Sequence, residues 1–234
     1  MNYEISCNPD CSMLTVHLNK GQAVVAESAA MVAMTTDVKI NTSLQGGVLR
    51  AFKRKLLAEE TIFQNRFVAT VDGQHVKLAP QIMGDIVAYE MKEEEIILKK
   101  SAFLASSPGI TLNTKYEGLK GMLAHGIFLM KVACPGKGTL FFNTYGACQR
   151  IDLEGEMIAD DGHVVAYSPS LKFKVRDVKG WKATALSGEG LVLEYYGIGT
   201  IFMQTRKEKC LADFLHGFRK EKKPKEKKNR TGGP

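Results

Sequence analysis

Two glutamates and a histidine, Glu60, His125 and Glu189, stand at matching points of three similar stretches of this 234-residue chain. Each immediately precedes an apolar strand: Thr61-Ile62-Phe63, Gly126-Ile127-Phe128 and Gly190-Leu191-Val192. If the three stretches surround a common axis, two carboxylates and an imidazole would converge near it. Such a set suits a divalent metal such as Mn, Fe or Zn, with coordination positions left open. The plainer alternative is a solvated turn residue at each position. No other cofactor is expected. Cys7-x3-Cys11 is half a zinc site without a second pair, and His17, His75, His163 and His216 stand apart along the chain.

Covalent and phosphate chemistry lack their usual arrangements. There is no Gly-x-Ser-x-Gly elbow, and Cys134 and Cys148 have no base beside them in sequence. Cys134-Pro135 falls at an expected hairpin turn and reads as a passive thiol. Gly197-x-Gly199 lacks the later glycine and helix of a dinucleotide fingerprint. Asp160-Asp161-Gly162 lacks the spaced ligands of a calcium loop. The chain therefore reads as non-enzymatic, with a metal-dependent enzyme as the outlying alternative.

The net charge of +7 is confined to one end. Residues 206–234 hold eleven Lys/Arg and four Asp/Glu, so the remainder is neutral. Lys220, Lys222, Lys223, Lys225, Lys227 and Lys228 form a basic run that suits a polyanion, either a nucleic acid or an anionic membrane surface. A run with Pro224 and no apolar residue is expected to be disordered over 220–234. Before it, Leu211, Phe214, Leu215 and Phe218 form one stripe of an amphipathic helix expected over 207–219, docked back on the body. A neutral body argues against nucleic-acid binding by the folded part.

Five scattered cysteines, odd in number, read as reduced thiols in a cytoplasmic protein. The opening Met1-Asn2-Tyr3-Glu4 has neither the basic nor the apolar region of a secretory signal. No apolar run approaches the ~18 residues of a spanning helix.

The elements that must position these groups are strands. Ala30-Met-Val-Ala-Met-Thr-Thr-Asp-Val-Lys-Ile-Asn-Thr42 is echoed by Ala102–Thr114 and by His163–Val175, each alternating apolar and polar residues as a half-buried strand does. After each comes a glycine-rich junction and a further strand. A hairpin turn is then expected at Asp72-Gly73, at Pro135–Gly138 and at Gly197-Ile198-Gly199. The spacings differ, 72 and 61 residues from Val38 to Ile110 to Leu171, which excludes a fixed-period solenoid. The expectation is one all-β domain over 1–206 in three repeats, about 10–80, 81–142 and 143–206, closed around a pseudo-threefold axis. Val48–Ala58 is expected as a helix, its basic residues on the solvated side.

These residues resemble the altered-inheritance-of-mitochondria (mitochondrial biogenesis) proteins and their prokaryotic relatives, long known as a domain of unknown function. The carriers include Ala30–Met34, Gly46-Gly47, Phe63-Gln64-Asn65, Leu78-Ala79-Pro80 with Gly84-Asp85, Asp161–Ala166, Ser187–Leu191 and Gln204-Thr205-Arg206. Ala124-His125-Gly126 departs from the Gly-Glu-Gly usual there. The resemblance implies a short double-stranded β-helix like that of the tryptophan RNA-binding attenuation protein, tripled in one chain. It also implies a homo-oligomer, for instance a trimer. A self-associating binding or scaffold module is the leading expectation, with RNA binding as the alternative.

Overall fold

Alternation of buried and exposed residues shapes the first strands of the computed structural model, which describes residues 1–44, 63–113, 129–175 and 192–219. After β1 (Asn2–Ser6), β2 (Met13–Leu18) turns Leu14, Val16 and Leu18 inward. Then come β3 (Ala23–Glu27), β4 (Met31–Met34), β5 (Val38–Leu44), β6 (Phe63–Ala69) and β7 (Gln74–Leu78). The middle of the chain holds the long β8 (Ile86–Lys99), then β9 (Phe103–Ser106), β10 (Thr111–Asn113) and the long β11 (Leu129–Asn143). The last part holds β12 (Cys148–Asp160), β13 (Val164–Tyr167), β14 (Lys172–Val175) and β15 (Val192–Gln204), followed by one helix, α1 (Glu208–His216). The chain is nearly all β, as its composition and alternation predict.

Among the described residues every strand-to-strand ladder is antiparallel. One sheet has the order β1-β2-β7-β4; the other runs β12-β15-β13-β8-β11-β9-β3-β6-β5, with β10 beside β11 and β14 beside β15. β8 carries the unbroken apolar run Ile96-Ile97-Leu98 where it lies between β11 and β13, because strands buried on both faces need no alternation. The core is in three clusters. The first is centred on Leu14, Val24 and Phe67, the second on Ile96, Met130 and Phe142, the third on Leu171, Leu193 and Tyr195.

Two expectations are corrected by the structure. Residues 135–138 and 197–199 do not reverse the chain: β11 runs through the first against β8, and β15 through the second against β12. At Asp72-Gly73 the flanking strands take different partners, β6 pairing with β3 and β7 with β2, so this is a corner and not a hairpin. Glycine serves a bend or bulge as readily as a turn; Gly155 and Gly197 face each other across β12 and β15, both at positive φ. Among the described residues β12 pairs only with β15 and β4 only with β7. Finally, α1 does not dock by its apolar stripe. Phe214, Leu215 and Phe218 are 65, 57 and 74% exposed, and the helix is held by its first turn instead. The helix expected at 48–58 and the run 220–234 lie outside the described residues.

The segments that link the strand systems run side by side. The Ser12 N–H donates to the Gly84 carbonyl (3.0 Å), and Asp85 and Gly146 exchange bonds with 144–146 and Met83. Gly84 and Gly146 form a parallel bridge. A Cβ on Gly84 would collide with the Thr144 carbonyl and lie 2.7 Å from the Gly146 nitrogen. Since backbone cannot rotate aside as a side chain can, Gly84→Ala is expected to lower stability by about 3 kcal/mol or more, read as a fall in the urea midpoint. An unchanged midpoint would show that this crossing is not tightly held.

Candidate functional site

A cluster of buried polar groups lies where β8, the β12–β13 turn and the start of α1 meet. The turn 160–163 is tight, with Gly162 N–H donating to Asp160 Oδ1 (2.8 Å). Lys99, at the end of β8, donates from Nζ to the Gly162 carbonyl (3.1 Å). Lys207 reaches Asp160 Oδ2 at 2.7 Å, with both side chains largely buried. Gln204, at the end of β15 and 4% exposed, accepts from the Tyr145 N–H (2.9 Å) and donates to the Gly162 carbonyl (3.0 Å) and to Glu208 (3.1 Å). The His163 ring nitrogen Nδ1 meets the Gln204 carbonyl at 2.7 Å. Burial lowers the Lys99 pKa, while Glu208, Asp161 and Asp160 pull it back up. Burial raises the Tyr195 hydroxyl, with Tyr167 and Asp161 adding to it.

Beneath this turn a cavity of about 10 Å³ is lined by Lys99, Asp161, Tyr167 and Tyr195 among others. That is room for a single water and not for a ligand. Asp160-Asp161-Gly162 is therefore no cation loop: Lys207 already sits on Asp160, and the carbonyl of Gly162 is held by Lys99 and Gln204. The arrangement locks β15 and α1 to the turn. Its chemistry is structural.

A larger groove, about 440 Å³ and open to solvent, is lined by His17, Gln22, Arg66 and Ser107 among others. The β2–β7 register places His17 opposite His75, with ring centroids 6.4 Å apart. This pair was hidden in the sequence because 58 positions separate the two; only the register brings them together. Among the described residues no three His, Cys, Asp or Glu gather as a metal site requires. Glu60, His125 and Glu189 lie outside the described residues, as do Lys220, Lys222, Lys223, Lys225, Lys227 and Lys228.

All five cysteines are free thiols. Cys134 is buried, not displayed at a turn, with its sulfur 3.9 Å from the Met91 carbonyl. Burial, with Asp85 nearby, pushes the Cys148 thiol up to about 12, far from a thiolate at neutral pH.

The described chain is thus an antiparallel all-β fold with structural polar clusters and an open groove. The chain belongs to the mitochondrial biogenesis AIM24 family, whose model matches residues 3–206. An uncharacterized protein of Streptococcus pyogenes serotype M6 is 29% identical over 215 residues, 88% of this chain and 86% of that one. The crystal structure of protein SPYM3_0169 from Streptococcus pyogenes superimposes with a TM-score of 0.75 at 29% identity, covering 93% of this chain and 99% of that one. No described helix is long and apolar enough to cross a membrane.

Two outcomes follow from the polar groups. Gln204→Ala is expected to cost about 2–4 kcal/mol, because it strands the buried Tyr145 N–H and unclamps the turn; urea unfolding measures it. Glu27, at the end of β3, has its carboxyl raised to about 7 by burial. The folded state thus holds its proton more tightly than the unfolded one, so stability is full below the ordinary carboxylate range and declines as pH rises toward 7. Glu27→Gln is expected to gain stability over wild type at pH 8 and not at pH 4. The gain is at most about 2 kcal/mol, because Glu27 is only half-buried and solvent screens the rest. Equal effects at both pH values would remove the assignment.

Proposed function

We propose that the chain is a non-enzymatic, self-associating binding or scaffold module. In this reading it is a tripled short double-stranded β-helix resembling the tryptophan RNA-binding attenuation protein, with three units in pseudo-threefold relation. The ladders support the tripling. β2 and β3 pair with β7 and β6 as β8 pairs with β11 and β12 with β15. The short strand of each unit slips by one residue at the same step. Val32 is skipped between Met31↔Leu78 and Ala33↔Lys77, Leu104 between Phe103↔Phe142 and Ala105↔Phe141, and Val165 between Val164↔Met203 and Ala166↔Phe202.

The observation that carries self-association is the composition of one sheet edge. β4 reads Met31-Val32-Ala33-Met34, with Met31 39% and Val32 57% exposed and no charge. Edge strands are normally blunted by charge, above all lysine; β5 carries Lys39, and β14 carries Lys172 and Lys174. An uncharged apolar edge suits a partner strand. Light scattering on the full chain is expected to give a multiple of 25.8 kDa at micromolar concentration. A monomer at every concentration would end the proposal.

A second reading attaches to the basic end. The exposed Phe214 and Phe218 rings, 5.1 Å apart, lie directly before the lysine run. That order suits an anionic lipid surface, where each lysine adds about 1 kcal/mol. Removing residues 220–234 is expected to abolish sedimentation with phosphatidylserine vesicles while leaving the assembly mass per chain intact. Vesicle binding that survives the deletion and resists roughly 0.5 M salt counts against it.

A further inference from the structure

Two junctions between neighbouring units are made by strand pairing inside the chain, and they follow one rule. At the first, β3 meets β9 with Val25 opposite Ser106 and Ala26 opposite Ala105. At the second, β8 meets β13 with Ile97 opposite Tyr167 and Leu98 opposite Ala166. In each case the long-strand element of one unit takes the short strand of the next, antiparallel. Side chains cross the seam with it: Leu104, Ala105 and Phe141 complete the first core cluster, while Val165, Ala166 and Phe202 complete the second. The third cluster receives nothing from the first unit.

The same rule leaves one donor and one acceptor over. Asn41, Asn113 and Lys174 hold matching places in β5, β10 and β14 and lie opposite Arg66, Lys131 and Glu194. Those three residues pair on their other side with Val25, Ile97 and Ile158. Ile158 and Ala159 thus occupy the places of Val25 and Ala26 in the first unit and of Ile97 and Leu98 in the second. By the shared one-residue slip, Ala33 and Met34 occupy the places of Ala105 and Ser106, and of Ala166 and Tyr167. Exposure marks both as vacated seam positions. Ile97 is fully buried while Ile158 is 50% exposed; Leu104 and Val165 are 0 and 1% exposed while Val32 is 57%.

We infer that β12 of one copy pairs antiparallel with β4 of the next, Ile158 opposite Met34 and Ala159 opposite Ala33, so that copies join head to tail. The occupant of each edge is a second copy of this chain, argued from continuity with the two junctions inside it. The inference rests on the self-associating, tripled reading above and specifies its surface. Because the two edges differ, the interface is heterologous, and it propagates until a ring closes or a filament grows.

Light scattering after size-exclusion chromatography tests it on the full chain with two variants, Val32→Lys and Ile158→Lys. Both side chains are at least half exposed, so the variants are expected to keep the wild-type circular dichroism. Each alone is expected at the 25.8 kDa monomer mass. An equimolar mixture is expected to give a dimer and nothing larger, joined by the one intact β12 and the one intact β4. Variants that assemble like wild type would overturn the seam while leaving self-association standing. Monomers that stay monomeric on mixing would overturn the head-to-tail pairing, and a monomeric wild type would remove the self-association reading and this inference together. Should either variant fail to fold, amide exchange on wild type decides instead. Residues 31–34 and 156–160 are expected to exchange at least tenfold faster in the diluted monomer than in the assembly, and equal rates would overturn the pairing.

Discussion

The close packing of main chain against main chain at Gly84 and Gly146 sets the distance at which the strand systems stand from one another. The linker before β8 lies against the linker before β12, with Ser12 on one side and Thr205 on the other. Asp85 closes the crossing by accepting from Ser12 Oγ and from the Ile86 N–H. Buried main-chain polar groups must be paired somewhere, and here linkers pair with linkers. The long strands that leave this point can then share ladders, and the aromatic contacts depend on that spacing. Tyr3 meets Phe141 edge to face at 4.9 Å, and Phe202 meets Phe142 at 5.2 Å.

Much of the β architecture was legible. The alternating stretches after Ala30, Ala102 and His163 each become a short strand, a turn and a second short strand, namely β4 and β5, β9 and β10, β13 and β14. Their alternation reports burial of one face, which is local information. What glycine does was not legible. Pro135–Gly138 and Gly197–Gly199 satisfy the backbone demands of a tight turn, but the strand continues through them. The difference is made by β8 and β12, which pair on both sides of the bend and whose partnership no local pattern encodes.

The candidate sites show the same division. The cysteines read as passive thiols, and the structure keeps Cys134 buried with the Cys148 thiol far above neutrality. Lys99, Asp160, Gln204 and Lys207 meet across long separations, so their cluster left no spacing to recognise. Gly162 gave the one hint: a side chain there would press on Lys207, a reason for glycine that the turn alone does not supply. The stripe of α1 was correctly periodic, yet its exposure depends on what lies beneath the helix, and periodicity cannot report that.

The seam proposed between copies differs from the two inside the chain in one position. Phe141 and Phe202, 0 and 3% exposed, each cross a seam into the preceding core; the residue in their place in the first unit is the half-buried Lys77. Burying a phenylalanine side chain contributes about 1.5–3 kcal/mol, and a lysine stem recovers only part of that while its ammonium stays in water. A junction of identical strength would weld copies together as firmly as units within one copy. In the proposed pairing, lysine at this point would make the external seam weaker than the internal ones, so that assembly would respond to concentration while the folded chain does not.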